Sequence, residues 1–122
     1  MPVLVKQRSE AVLSYLRSRY MYVGGEQPLR RRDNPRILSS GSREKGYAVV
    51  FVPIVGTNIR RSHIVWFLVT GKWPTNHIDH KDRVRHNDDF DNLQELTQAE
   101  NNARKQGRLY GQPSPTTLRE LA

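Results

Sequence analysis

Cysteine is absent from the chain. That excludes disulfides, thiol nucleophiles and every thiolate zinc site, and it agrees with a reducing cytoplasm. Long hydrophobic runs are also missing. The longest, Ile64 to Val69, falls far short of the roughly 20 apolar residues a spanning helix needs, so no membrane partner is expected. The segment Met1 to Arg8 has no extended apolar region, so no secretory signal is expected. Internal repeats and heptads are lacking too, which favours a monomer.

What the chain does have is positive charge. Its 122 residues carry 20 Lys and Arg against 12 Asp and Glu, a net charge of +8. The excess is one-sided. Residues 1–61 hold twelve basic and four acidic side chains, whereas residues 62–122 hold eight of each. A polyanion such as DNA suits the first half. Five acids crowd into the second half, Asp79, Asp82, Asp88, Asp89 and Asp91, and a cation suits that stretch. With 36% hydrophobic residues, a single domain over residues 1–122 with one modest core is expected.

Periodicity predicts a helix over residues 10–20, capped by Ser9 and carrying Val12, Leu13, Leu16 and Tyr20 on one face. Residues 24–45, rich in Gly, Pro, Ser and Arg, read as an irregular connection with at most one short strand. Gly46 to Ile54 reads as the first arm of a hairpin, with Gly56 and Asn58 turning into Ile59-Arg60-Arg61. Ser62 is placed to cap a short buried helix, His63 to Thr70, ending at Gly71 with Pro74 beyond. Its Trp66 is assigned to the core rather than to base stacking. Next come a short strand over residues 75–79, a polar loop over 80–91 and a strand over 93–96. Thr97 and Glu100 then form a capping box that starts a helix running to about Gln106. Residues 112–122 read as a tail.

The strand, loop, strand and helix between residues 75 and 106 bring three unlike groups together: Asp79 and His80, then Asn92, then Asn101. Adjacent strand residues face opposite ways, so Asp79 and His80 share a site only if the strand ends between them. Asn101 and Asn102 are poor helix formers, and a broken local rule is where function is expected. Phosphodiester hydrolysis needs a base for water, positive charge on the phosphate oxygens and help for the leaving 3′ oxygen. A histidine suits the first task. A carboxylate with an amide oxygen suits Mg²⁺ or Mn²⁺. A second asparagine can hold the imidazole in its reactive tautomer.

His77-Ile78-Asp79-His80, Phe90-Asp91-Asn92-Leu93 and Thr97-Gln98-Ala99-Glu100-Asn101 together closely resemble the HNH endonuclease motif. The nearest likeness is to the phage-type, homing-endonuclease-like branch in which the final histidine is an asparagine. Twelve positions separate His80 from Asn92, and twenty-two separate Asp79 from Asn101, as in that branch. Val65 to Pro74 resembles the core helix and turn that precede the motif. The likeness covers about residues 46–105.

The resemblance implies an α+β architecture: a ββα-metal (His-Me finger) motif at residues 75–106, joined to an N-terminal helix, a small antiparallel sheet and a basic DNA-binding part at residues 1–61. It implies a metal-dependent DNA endonuclease that nicks one strand of double-stranded DNA, leaving a 5′ phosphate and a 3′ hydroxyl. By the same likeness His80 is the general base, Asp79 and Asn101 hold one Mg²⁺ or Mn²⁺, and Asn92 fixes the hairpin and orients His80. If the chain is phage-encoded, its place is the host cytoplasm. Two positions depart from the pattern: Asp89 stands where many relatives carry Asn or Arg, and Arg104 where they carry a further Asn.

Charge nominates Arg30, Arg31, Arg32, Arg36, Arg43, Lys45, Arg60 and Arg61 for phosphate contact, with Lys72, Arg83, Arg85 and Arg104 as a second track. Two other readings compete. A DNA-binding module that keeps the fold without cleavage would have no reason to retain His80 beside Asp79. A zinc protein built from His63, His77, His80 and His86 would leave Asn92 and Asn101 unexplained.

Overall fold

Ser9 opens helix α1 (Glu10–Arg19), its hydroxyl accepting from the Val12 amide at 3.4 Å. Leu16 on the inner face is fully buried, with Val12, Leu13 and Tyr15 packed beside it. Tyr20 ends the helix and begins β1 (Tyr20–Tyr22), which pairs antiparallel with β2 (Leu29–Arg31). In this computed structural model the described residues are 7–37 and 42–105. The expectations about residues 1–6 and about the chain beyond 105 lie outside them.

Residues 24–45 are more regular than their composition suggests. They contain β2 and also β3 (Ser42–Glu44), which pairs with β4 (Tyr47–Val52). Three-residue strands of Arg, Ser and Glu have little propensity of their own, and the partner strand makes them. Lys45 and Gly46 join β3 to β4 with φ of 52° and 85°, the two positive angles that a tight hairpin turn requires. On the other side β4 pairs with β5 (Thr57–Arg60), giving the order β3-β4-β5.

Helix α2 (Arg61–Thr70) follows β5 without a break. It starts earlier than expected: Arg60 takes the N-cap position with no side-chain hydrogen bond, and Ser62 lies buried inside the first turn. The sheet delivers the chain directly into the helix, so a capping hydroxyl is not what sets its start. The helix ends as expected at Gly71, whose φ of 81° is left-handed. It packs on β1, β4, β5 and α1. Val50, Val52, Ile59, Ile64, Phe67 and Trp73 close the core around Leu16, Tyr20 and Leu29. Trp66 is half-buried, its ring 5.2 Å from that of Phe90.

Past Pro74 come β6 (His77–His80), a loop, a 3-10 turn (Phe90–Asn92), β7 (Leu93–Leu96) and α3 (Gln98–Lys105). β6 begins two residues later than expected and includes His80. The capping box is present: the Glu100 amide donates to Thr97 Oγ1 and the Thr97 amide to Glu100 Oε1, both at 3.2 Å. The result is a small α+β protein of helices and antiparallel strands. Among the described residues no helix is long and apolar enough to cross a membrane.

Candidate active site

β6 and β7 form a two-stranded ladder that pairs Asp79 with Gln94 and His80 with Leu93. The Glu95 carboxylate accepts from the amides of Thr75 and Asn76, at 3.2 and 3.1 Å, and so holds the chain as it approaches β6. His77 Nε2 meets Gln98 Oε1 at 2.8 Å, tying β6 to α3. α3 packs against both strands, with the half-buried Asn101 in its first part.

The strand does not end between Asp79 and His80, as a shared site was expected to require. Both lie on β6. Asp79 is half-buried, and its Oδ2 accepts from Gln94 Nε2 at 2.9 Å. His80 is only 5% exposed. Its Nε2 donates to Asp88 Oδ1 at 2.7 Å, and its ring lies 5.9 Å from that of Tyr47. No hydrogen bond from a described residue reaches Nδ1.

Asn92 makes no side-chain hydrogen bond to His80. Its Nδ2 donates to Asp82 Oδ1 and to the Asn87 carbonyl, both at 2.9 Å, and its Oδ1 accepts from the Asp82 amide at 3.1 Å. Its carbonyl accepts from the Lys81 amide at 2.8 Å. The side chain is thus committed to the loop.

Asp82, Asp88 and Asp89 are each engaged by other groups of the protein. Asp82 takes bonds from Asn87, the Val84 amide and Asn92. Burial pushes its carboxyl up, but those hydrogen bonds outweigh it and hold the group below the usual carboxylate value. Asp89, which would repel a phosphate if it faced DNA, is engaged within the protein. Its Oδ1 accepts from Tyr22 Oη at 2.8 Å and from the Gly25 amide at 3.2 Å, while Tyr22 Oη accepts from the Phe90 amide at 2.9 Å. Among the described residues no cluster of three or more His, Asp or Glu side chains could hold a metal ion. The histidines have separate settings: His63 lies 5.9 Å edge-on to Trp73, His77 meets Gln98, and His80 meets Asp88.

Asp88 and Arg61 are the pair that sequence reasoning missed. Arg61, expected at the DNA surface, is 4% exposed, and Asp88 is 1% exposed. Arg61 Nε donates to Asp88 Oδ2 at 2.9 Å, Nη1 to Gln27 Oε1 at 3.1 Å and Nη2 to the His86 carbonyl at 2.9 Å. An arginine next to exposed Arg60, and an aspartate within an acidic run, carry no signal of this burial. They lie twenty-seven positions apart. A cleft of about 610 Å³ borders Arg61 and is lined also by Gln27, Arg43, Asp82, His86 and Asn87. Neither His80 nor Asp79 lines it.

The remaining basic candidates divide by partner. Arg31 is paired with Asp33 at 2.6 Å, Arg32 Nε donates to the Arg17 carbonyl at 2.7 Å, and Arg30 Nη1 to the Pro35 carbonyl at 3.3 Å. Arg36, Arg43, Lys45, Lys72 and Arg83 are exposed. Arg60 lies with its Cζ 3.8 Å from the Tyr47 ring centre, and Arg85 lies 5.1 Å from the same ring while donating to the Lys45 carbonyl at 2.7 Å. The side chain of Arg104 is outside the described residues.

This is a small α+β protein with a histidine and a carboxylate side by side on a short hairpin closed by a helix. Residues 60–103 match the model of a family described as HNH endonuclease. That match suggests nuclease activity and DNA binding in general terms. No curated protein and no solved structure matches the chain.

Proposed function

We propose that the protein is a metal-dependent DNA endonuclease that hydrolyses one phosphodiester bond per binding event, with His80 as general base. The observation that carries this reading is His80 itself, the last residue of β6, with Nδ1 unengaged by any described residue. A nitrogen with a free lone pair, held by its ring's other nitrogen, suits proton removal from water.

The residues on β6, β7 and α3 fit a divalent ion. Asp79 supplies a carboxylate and Asn101 an amide oxygen, the hard donors that Mg²⁺ or Mn²⁺ takes while keeping several waters. Gln94 adds a second observation. Its Oε1 is buried without a hydrogen-bond partner while its Nε2 holds Asp79, and a buried acceptor beside a carboxylate suits a nearby cation or its water. When bound, the ion supplies positive charge to a non-bridging phosphate oxygen and to the departing 3′ oxygen. His80 Nδ1 takes a proton from water as the water oxygen bonds to phosphorus. The bond from phosphorus to the 3′ oxygen breaks, and that oxygen gains a proton from solvent. The products are a 5′ phosphate and a 3′ hydroxyl. β6, β7 and α3 would then form a ββα-metal motif.

One such set acts on one strand at a time, so a monomer nicks. Opposite strands run antiparallel, and a two-strand cut requires a second, two-fold related copy. The test is supercoiled double-stranded plasmid with limiting protein and Mg²⁺. Nicked circles that ligase reseals are expected first, and His80→Ala should slow their formation by about 10²–10⁴. Linear product from the first time point would overturn single-strand nicking. Equal rates for His80→Ala and the parent would remove His80 as base.

A further inference from the structure

We infer that Asp88, braced by Arg61, is the positioning residue for His80, fixing the imidazole with its proton on Nε2 and its free lone pair on Nδ1. The inference rests on the reading of His80 as general base. It adds a residue that neither the HNH resemblance nor the family match places beside that histidine.

Three elements meet in this contact. Arg61 is the first residue of α2, Asp88 closes the loop, and His80 ends β6. All three are at least nine-tenths buried. Each oxygen of Asp88 has one partner, Oδ1 taking His80 Nε2 at 2.7 Å and Oδ2 taking Arg61 Nε at 2.9 Å. A carboxylate facing a guanidinium only accepts, so Nε2 must be the donor. In the neutral ring that leaves Nδ1 as the unprotonated nitrogen. Arg61 has little freedom to move, because Gln27 and the His86 carbonyl hold its other two nitrogens. The chain of contacts therefore runs from a rigid helix start, through Asp88, to the orientation and tautomer of one imidazole. This is the task the resemblance assigned to Asn92, whose side chain is committed to Asp82 and Asn87.

Removing Asp88 alone would strand a buried guanidinium, so the better variant replaces both charges with apolar groups, Arg61→Met with Asp88→Leu. This double variant is expected to fold and to bind plasmid DNA with parental affinity and KM. Its kcat should fall about 100-fold, the scale expected when a catalytic group loses its placement. In a His80→Ala background the Arg61 and Asp88 changes should then cost nothing further, since Asp88 acts only through that ring; a merely structural role would leave the two losses additive. An independent readout needs no activity. The imidazole ¹⁵N spectrum of the parent should place the neutral His80 in a single Nε2–H tautomer, and the double variant should show a mixture. Parental kcat in the folded double variant, additive losses, or an Nδ1–H tautomer in the parent would each overturn the inference. Should His80→Ala alone cut at the parental rate, the base assignment fails by itself, and the ¹⁵N spectrum still decides whether Asp88 sets the ring.

Discussion

Asn92 and Asp82 clasp each other across the loop: Asn92 Nδ2 donates to Asp82 Oδ1 at 2.9 Å, and the Asp82 amide donates back to Asn92 Oδ1 at 3.1 Å. A third bond, from Nδ2 to the Asn87 carbonyl, closes the fold of the segment that carries Asp88 beside His80. Asn92→Ala should therefore destabilise the protein by about 1–3 kcal/mol, the cost of stranding partly buried partners. Asn92→Asp should be no better, because a carboxylate would face Asp82. Urea unfolding measures both, and parental stability for Asn92→Ala would mean that the clasp contributes nothing.

The Asp79–Gln94 contact makes a prediction about metal. Gln94→Leu removes the amide that holds Asp79 without touching a proposed ligand, and should weaken Mn²⁺ binding by about 10–100-fold, the usual effect of losing a partner behind a ligand. Asp79→Ala and Asn101→Ala should weaken it at least as much. Titration calorimetry with Mn²⁺ measures this without cleavage. Unchanged affinity in all three variants would remove these residues from the site.

Salt dependence should separate the arginines. Each true phosphate contact adds about 0.9 to the slope of log affinity against log salt. Arg31 is already neutralised by Asp33, whereas Arg60 and Arg85 meet at Tyr47, whose ring neighbours His80. Neutralising Arg60 and Arg85 should flatten the slope by roughly 2, and Arg31→Ala should barely change it. The reverse pattern would place the DNA on the β1–β2 side.

His63 gives a pH prediction. Burial, followed by the nearby charges of Arg60 and Arg8, depresses it from 6.5 to about 4, with Asp88 opposing and His80 adding to the depression. The unfolded chain therefore binds the proton more readily than the folded one. Stability from this group is complete above about pH 6.5 and is lost progressively as pH falls through about 4, by on the order of 2–3 kcal/mol. His63→Phe should flatten that part of the stability curve. An unchanged acid limb would show that His63 does not contribute.

The parts of this protein legible in the sequence are those decided within a few residues. Ser9 caps α1, Thr97 and Glu100 box α3, Gly71 ends α2, and β7 spans the expected residues 93–96. Each depends on groups only a few positions away, so the local sequence specifies it. The motif residues were legible as a set for another reason: the resemblance supplied their order and spacing, and the family match agrees over residues 60–103. Tertiary structure decided the rest. β2 and β3 exist because β1 and β4 offer them ladders, and α2 starts at Arg61 because β5 leads into it. Only folding brings Arg61 to Asp88 and Asp88 to His80, and so turns an arginine nominated for phosphate contact and an aspartate of an acidic run into a buried chain of contacts ending on an imidazole. The physical reason is desolvation: a charge leaves water only where a partner and hydrogen bonds offset the cost. Those partners come from elements far apart in the chain.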